Sequence, residues 1–478
     1  MEKGREDKKM GYSLLFNPEN YRVESVEAEG HTVVYRAYED LVYVERPVAE
    51  EYQRMNIYVP ELLMEGGTIG RYDRHTAPVF LANTVGGYMP GKPEKPGNHF
   101  MGKTNALFFA LQHGCVAVSV GARGRGLTGA DGSNIGCAPA CIVDLKAAVR
   151  YLKYNRERIC GNMSRIISNG TSAGGALSAL LGVTGNHPDY ESYLDAAGAA
   201  EAGDDIYAVS CYCPITNLEH GDMAYEWEFN GLHDYRYMRF DKDAETGEMK
   251  RQPVTGTQTE EQKKLSAELK KLFPSYVNSL HLTDERGNDL ILEEDGNGSF
   301  QQYIKDRIME SIQKAMEGGM DFTGCPWIQI RDGKAVDVDF AQFTAFRTRM
   351  KTTPAFDDVW LQTPENELFG TDGIASRHFT RFSLEHTKAE GEMAEEGQIR
   401  RMNPMNYIGD SHCDTAPCFR IRHGASDRDT SLAVSALLAA ALKKQGIQVD
   451  YHLPWGLPHA GDYDLPELFA WIDRICNV

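Results

Sequence analysis

Several things are scarce in this sequence, and each shortage removes a class of function. No apolar run approaches the ~20 residues that a bilayer-crossing helix needs, so no membrane association is expected. The first stretch, "MEKGREDKKMGYSLLF", is charged and then only briefly apolar. It has no signal-peptide core, so a cytoplasmic protein is expected, though a signal removed beforehand would leave no trace. The ten cysteines include no Cys-x-x-Cys pair, so no zinc site or other metal is expected. Ten thiols in 478 residues do not make a disulfide scaffold. Cys211 and Cys213 lie two apart in an apolar run and are read as buried free thiols on one strand face. Positive charge is also short: 50 Lys and Arg stand against 69 Asp and Glu, a net charge of −19. That balance excludes nucleic acid as a partner and disfavours an anionic lipid surface. There is no internal repeat and no low-complexity segment.

What remains is a long chain with 42% apolar residues, enough for one large α/β domain carrying an insertion. The first ~60 residues alternate apolar and polar positions, as in "HTVVYRAYEDLVYVER" and "RMNIYVP", and predict antiparallel strands. A strand–helix rhythm follows. "APVFLAN" (77–83), "CVAVSVGARGRG" (115–126), "SRIISNG" (164–170) and "DIYAVSCYCPI" (205–215) read as strands. The second of these runs into a glycine-rich loop. "MGKTNALFFALQHG" (101–114) and "PACIVDLKAAVRYLKYN" (139–155) read as helices. The alternation predicts a parallel sheet covered on both faces.

From 216 to 403 the chain turns polar and charged. "TEEQKKLSAELKKLF" (259–273) and "QQYIKDRIMESIQKAMEGG" (301–319) are amphipathic helices, and this part is read as a mostly helical inserted domain. The rhythm resumes with the strand in "APCFRIRHGASDRD" (416–429), a helix over 430–446, the strand "IQVDYHLPW" (447–455) and the last helix "LPELFAWIDRI" (465–475). The division is therefore 1–215 and 404–478 for the two parts of the core, with 216–403 inserted.

The chemistry starts at "RIISNGTSAGGALSALL" (165–181). Ser172 sits between a strand and a helix, flanked by Gly170 and Gly174. This matches G-x-S-x-G in its required context, a sharp turn that lifts the serine Oγ above the sheet edge. The turn aims the N–H of Ala173 and the positive end of the helix dipole at a developing oxyanion. The elbow predicts a chain order of Ser, acid, His. His459 lies in the loop after the last strand, where the base belongs; His452 lies inside that strand. In "SDRDTS", Asp427 lies in the loop and is taken as the acid that fixes the imidazole tautomer. Asp429 abuts the next helix and also reads as an N-cap. A second oxyanion donor is expected from "ANTVGGYMPG" (82–91), with Gly86 ahead of Gly87.

With these residues placed, the chain resembles the bacterial tannases (tannin acylhydrolases), esterases of the α/β-hydrolase fold. The resemblance covers nearly the whole chain. It rests on "NGTSAGGALSALLG", "RIRHGASDRDTSLA", "LPWGLPHAGDYDLPELFAWID", "RMKTTPAFDD" and "LQTPENELFG". It implies a triad of Ser172, Asp427 and His459 and an insertion that acts as a lid. It also implies that Lys351, Glu365 and Asp429 hold the hydroxyls of a galloyl ring. The implied substrate is a small-molecule galloyl ester, with no metal or organic cofactor, and the chain is expected to be a monomer. Taken without the resemblance, Lys351 and Glu365 read as a solvated pair on a charged surface. Fungal tannases and related feruloyl esterases join a cysteine next to the serine with one next to the histidine. Thr171 and Pro458 stand there, so this chain falls with the bacterial type. The alternative is a feruloyl or chlorogenate-type hydroxycinnamoyl esterase; a lid-gated peptidase and a catalytically dead hydrolase fold used for binding are further rivals.

Overall fold

A computed structural model describes residues 11–97, 103–242 and 249–476. One large sheet organises the chain. Its nine strands are β1 (Arg22–Ala28), β2 (His31–Val42), β3 (Arg54–Pro60), β4 (Pro78–Asn83), β5 (Val116–Val120), β6 (Asn162–Thr171), β7 (Ala208–Tyr212), and two late strands, β12 (Cys418–Arg422) and β13 (Gln448–His452). Their order across the sheet is β1-β2-β3-β5-β4-β6-β7-β12-β13. The first three pair antiparallel, as their alternation predicts, and β3 joins β5 antiparallel. From β5 to β13 every pairing is parallel. β5, β7 and β12 are buried along their whole length, as parallel strands covered on both faces must be.

Alternate side chains feed two apolar clusters. Val79, Leu81, Ile166 and Val209 point into the larger one, with helices Ala140–Tyr154, Ala173–Val183 and Leu432–Lys444. Phe80, Ile167 and Ala208 point into the other, with helices Ala106–Gln112 and Leu465–Ile475. The first of these two helices is shorter than the expected 101–114, because Asn105 caps it by accepting the Phe108 N–H. Positions 101 and 102 of that expectation lie outside the described residues, as do residues 1–10, which bear on the absence of a signal.

The insertion lies between β7 and β12. Helix Glu260–Ser279 opens with a capping box from Thr259 and Gln262 and runs six residues past the expected end, through Pro274. Buried Phe273 and Val277 hold that last part against the core. Helix Ser299–Glu317 follows. The insertion also holds two hairpins that the helical expectation did not include: β8 (Asp234–Lys242) with β9 (Met249–Thr257), and β10 (Ile328–Arg331) with β11 (Lys334–Val338). The second had a signal in Asp332-Gly333, whose φ values of 50° and 74° are those of a two-residue hairpin turn. Trp227, Phe273, Phe300 and Phe343 of the insertion belong to the larger apolar cluster of the sheet. Among the described residues, no helix is long and apolar enough to cross a membrane.

Candidate active site

The site forms at the carboxyl ends of β6, β7, β12 and β13, where loops leave the sheet. β6 ends at Thr171, and helix Ala173–Val183 starts one residue after Ser172. Ser172 is therefore forced to φ 61°, ψ −123°, a conformation that a non-glycine residue holds only when its surroundings over-determine it. Those surroundings are tight. The Ser172 N–H donates to the Tyr212 carbonyl at 2.9 Å. A Cβ on Gly174 would lie 2.5 Å from Asn83 Oδ1 and 2.6 Å from the Val85 carbonyl. One on Gly175 would lie 2.6 Å from the Tyr212 carbonyl. The glycines let the turn sit against β4 and β7 without a side chain between.

His459 Nε2 stands 2.8 Å from Ser172 Oγ, and its Nδ1 stands 2.7 Å from Asp427 Oδ2. The assignment that fits both contacts has Nδ1 donating to the carboxylate and Nε2 accepting from the serine. Asp427 is fully buried, and its Oδ1 accepts the Asp429 N–H at 2.8 Å. Burial pushes the Asp427 carboxyl up, but His459 and His423 beside it outweigh that and hold it far below the usual carboxylate range. Burial pulls the His459 imidazole down, while Asp427 and Cys213 raise it further, to a net rise. His452 lies within β13, 3.1 Å from Asp450, away from this constellation.

The loop after β4 carries Gly86. Its carbonyl accepts the Met89 N–H at 3.0 Å, and Gly87 and Tyr88 follow at φ 56°. The Val85 carbonyl faces Gly174, so this loop flanks the elbow. Ala173 opens its helix, and the first N–H groups of a helix have no partner within it.

Lys351, Glu365 and Asp429 come together beside the triad, from three segments. Lys351 Nζ lies 3.2 Å from Asp429 Oδ2 and 3.9 Å from the centre of the Phe356 ring. Its backbone is fixed: Tyr225 Oη accepts the Lys351 N–H at 3.0 Å, and Arg349 Nε donates to the Lys351 carbonyl at 2.6 Å. Arg349 itself is buried in an ion pair with Glu226. Glu365 is only 7% exposed, so it is not part of a solvated surface pair. Burial pushes its carboxyl up, and Lys351 offsets part of that rise. Burial lowers the Lys351 ammonium, but Asp429 and Glu365 reverse the sign. Asp429 is not the N-cap of the next helix. Ser431 is, accepting the Ala433 N–H at 3.1 Å.

Three neighbours escaped the sequence reading. Cys211 and Cys213 do not share a strand face: β7 ends at Tyr212, and Cys213, at φ 35°, sets its Sγ 3.9 Å from His459 Nε2. His423, one turn before Asp427, places Nε2 3.1 Å from Asp427 Oδ2. Arg125 contacts the loop after β4. Only the spacing of "HGASD" offered a signal, since the other contacts join distant segments. Among the described residues, two groups of side chains stand close enough to share an ion: Cys213, Asp427 and His459, and His187, Asp410 and His412. In the first, both ring nitrogens of His459 are committed to Ser172 and Asp427. In the second, His187 Nδ1 accepts the Asp189 N–H, which leaves the ring proton on Nε2 facing Asp410. Neither donor set suits a resident metal.

This geometry has close counterparts. A tannase from Lactobacillus plantarum superposes with a TM-score of 0.94 at 41% identity, over 97% of this chain and 99% of that one. A Fusobacterium nucleatum tannase gives 0.93 at 47%, over 98% and 100%. The chain belongs to the bacterial tannase family. Its fold is the α/β-hydrolase fold of those enzymes, and it is a carboxylic ester hydrolase. A family model described as BD-FAE matches residues 131–245, the elbow included. The esterase LipC of Mycobacterium tuberculosis is 41% identical over 56 residues, 12% of this chain. The chain thus matches only 14% of the length of that curated relative.

Proposed function

We propose that this enzyme hydrolyses galloyl esters, releasing gallic acid through an acyl-enzyme on Ser172. The observation that carries the reading is the convergence of one ammonium and two carboxylates, Lys351, Asp429 and Glu365, next to an activated serine. A galloyl ring has three adjacent hydroxyls. Each can donate to a carboxylate and accept from an ammonium, so this set fits such a ring better than a methoxylated one. A tannin acyl hydrolase 42% identical to this chain has been solved in complex with ethyl gallate.

In the first step His459 Nε2 takes the Ser172 proton as Oγ attacks the ester carbonyl. The oxyanion receives the N–H groups of Ala173 and Gly86, in a site already shaped for it. Asp427 stabilises the imidazolium. His459 then returns the proton to the leaving alcohol, which lies toward solvent. Water, activated by the same imidazole, attacks the acyl-enzyme and frees the acid. Residues 216–403 act as the lid that brings Lys351 and Glu365 over the ring. Every group named comes from one chain, so a single copy carries a complete site. All ten cysteines are free, which suits the reducing cytoplasm.

Initial rates on methyl gallate and methyl ferulate, with Ser172→Ala as the blank, test this reading. A strong preference for the gallate ester is expected. Equal or reversed rates would keep the serine esterase and discard the galloyl clamp in favour of the hydroxycinnamoyl reading.

A further inference from the structure

The glycine-rich loop after β5, "GARGRG" (121–126), has no role in the mechanism above, yet it touches both halves of the site. Arg125 Nε donates to the Gly87 carbonyl at 2.7 Å, and its backbone N–H donates to the Tyr88 carbonyl at 2.8 Å. Two consecutive carbonyls of the loop carrying Gly86 thus rest on one residue. Gly87 and Tyr88 both have positive φ, a backbone that needs outside support when one of the pair carries a side chain. The same guanidinium turns the other way to the insertion. Nη1 lies 2.6 Å from Glu367 Oε2. Glu367 shares the one-turn helix Pro364–Leu368 with Glu365.

We propose that Arg125 is a positioning residue that couples the oxyanion loop to the helix bearing Glu365. Ring capture and oxyanion stabilisation are then set by one side chain. The planar fork of an arginine is suited to this, because it fixes two acceptors at a defined angle, whereas an ammonium acts as a point charge. Arg125 is 16% exposed and Glu367 38%, so replacing either leaves no charge sealed in the core. The inference rests on the galloyl reading for its Glu365 half only.

The test compares the wild type with Arg125→Met, Arg125→Lys, Glu367→Gln and the double variant Arg125→Met/Glu367→Gln. Substrates are methyl gallate and p-nitrophenyl acetate, whose acyl group has no ring to clamp, with methyl benzoate as a comparison for the wild type. Thermal melting checks folding. Arg125→Met should lower kcat on both esters by about 10- to 100-fold, the scale of a small misplacement of a catalytic group. Arg125→Lys should recover little of it. Glu367→Gln should raise KM for methyl gallate about 5-fold or more and leave p-nitrophenyl acetate within about 2-fold, and it should cost nothing further in the Arg125→Met background. Independent, multiplying effects would overturn the coupling. So would an Arg125→Met kcat within about 2-fold of wild type on p-nitrophenyl acetate, or full recovery by Arg125→Lys. A melting temperature lowered in step with activity across the set would reduce Arg125 to a structural residue and overturn it too. Wild type that prefers methyl benzoate to methyl gallate would sink the galloyl reading instead, and p-nitrophenyl acetate would still judge the loop half.

Discussion

Replacing Lys351 by methionine tests the ring clamp most directly. The side chain keeps its apolar stem but loses its charge, together with the Nζ that sits 3.9 Å from the centre of the Phe356 ring. Two effects add. The ring loses an ammonium donor, and Glu365 and Asp429 are left facing one another without the cation that now opposes Glu365's burial. A hydrogen bond to a charged group contributes about 1.5–3 kcal/mol, and about 1.4 kcal/mol is tenfold in rate, so kcat/KM for methyl gallate should fall about 10- to 150-fold. The second effect has a pH signature. Without Lys351 the buried Glu365 carboxyl takes up a proton at higher pH than in the wild type, so the deficit should shrink on the acid side, where the protonated carboxyl can serve as a donor. The control is p-nitrophenyl acetate, whose kcat/KM should stay within about 3-fold because the triad and the elbow are untouched. Steady-state rates on both esters from pH 5 to 9 decide the matter. Equal losses on the two substrates would mean that Lys351 supports the fold of the site rather than the ring, and the clamp would have to be abandoned.

Two further outcomes follow from the geometry. The rate should fall on the acid side as His459 takes a proton, because imidazolium cannot accept from Ser172. The buried Asp427 carboxylate raises the imidazole and places that limb above the ordinary imidazole range, and Asp427→Asn should move it down. A kcat/KM profile in both proteins measures this, and an unmoved limb counts against the carboxylate's control of the imidazole. Gly174→Ala should cost about 100-fold or more in kcat, since the new Cβ must displace Asn83 or the Val85 carbonyl and with them the donors of the oxyanion; a near-normal rate would show that the elbow has more room than it does here.

The elbow was legible because it is local. One serine between small residues, after an apolar strand and before a helix, writes its own strained turn. The order of acid and base was legible for a related reason: parallel strands in sequence deliver their loops to one edge, so Asp427 and His459 follow from where β12 and β13 end. The roles proposed for Lys351 and Glu365 came from family likeness, since a charged pair in a polar insertion looks the same in sequence whether it is solvated or buried. Cys213 was misread because a strand that ends one residue early turns its side chain by half a period.

By itself, then, the sequence determined the alternation of strands and helices, the position of the nucleophile and the loops that carry its partners, because each depends on neighbours a few residues apart. Tertiary structure alone brought Lys351 against Asp429. It alone set Cys213 against the triad and Arg125 between Gly87 and Glu367. Those contacts join segments up to 246 residues apart, the separation of Cys213 and His459. They depend on sheet order and on how the insertion packs, which no local pattern encodes.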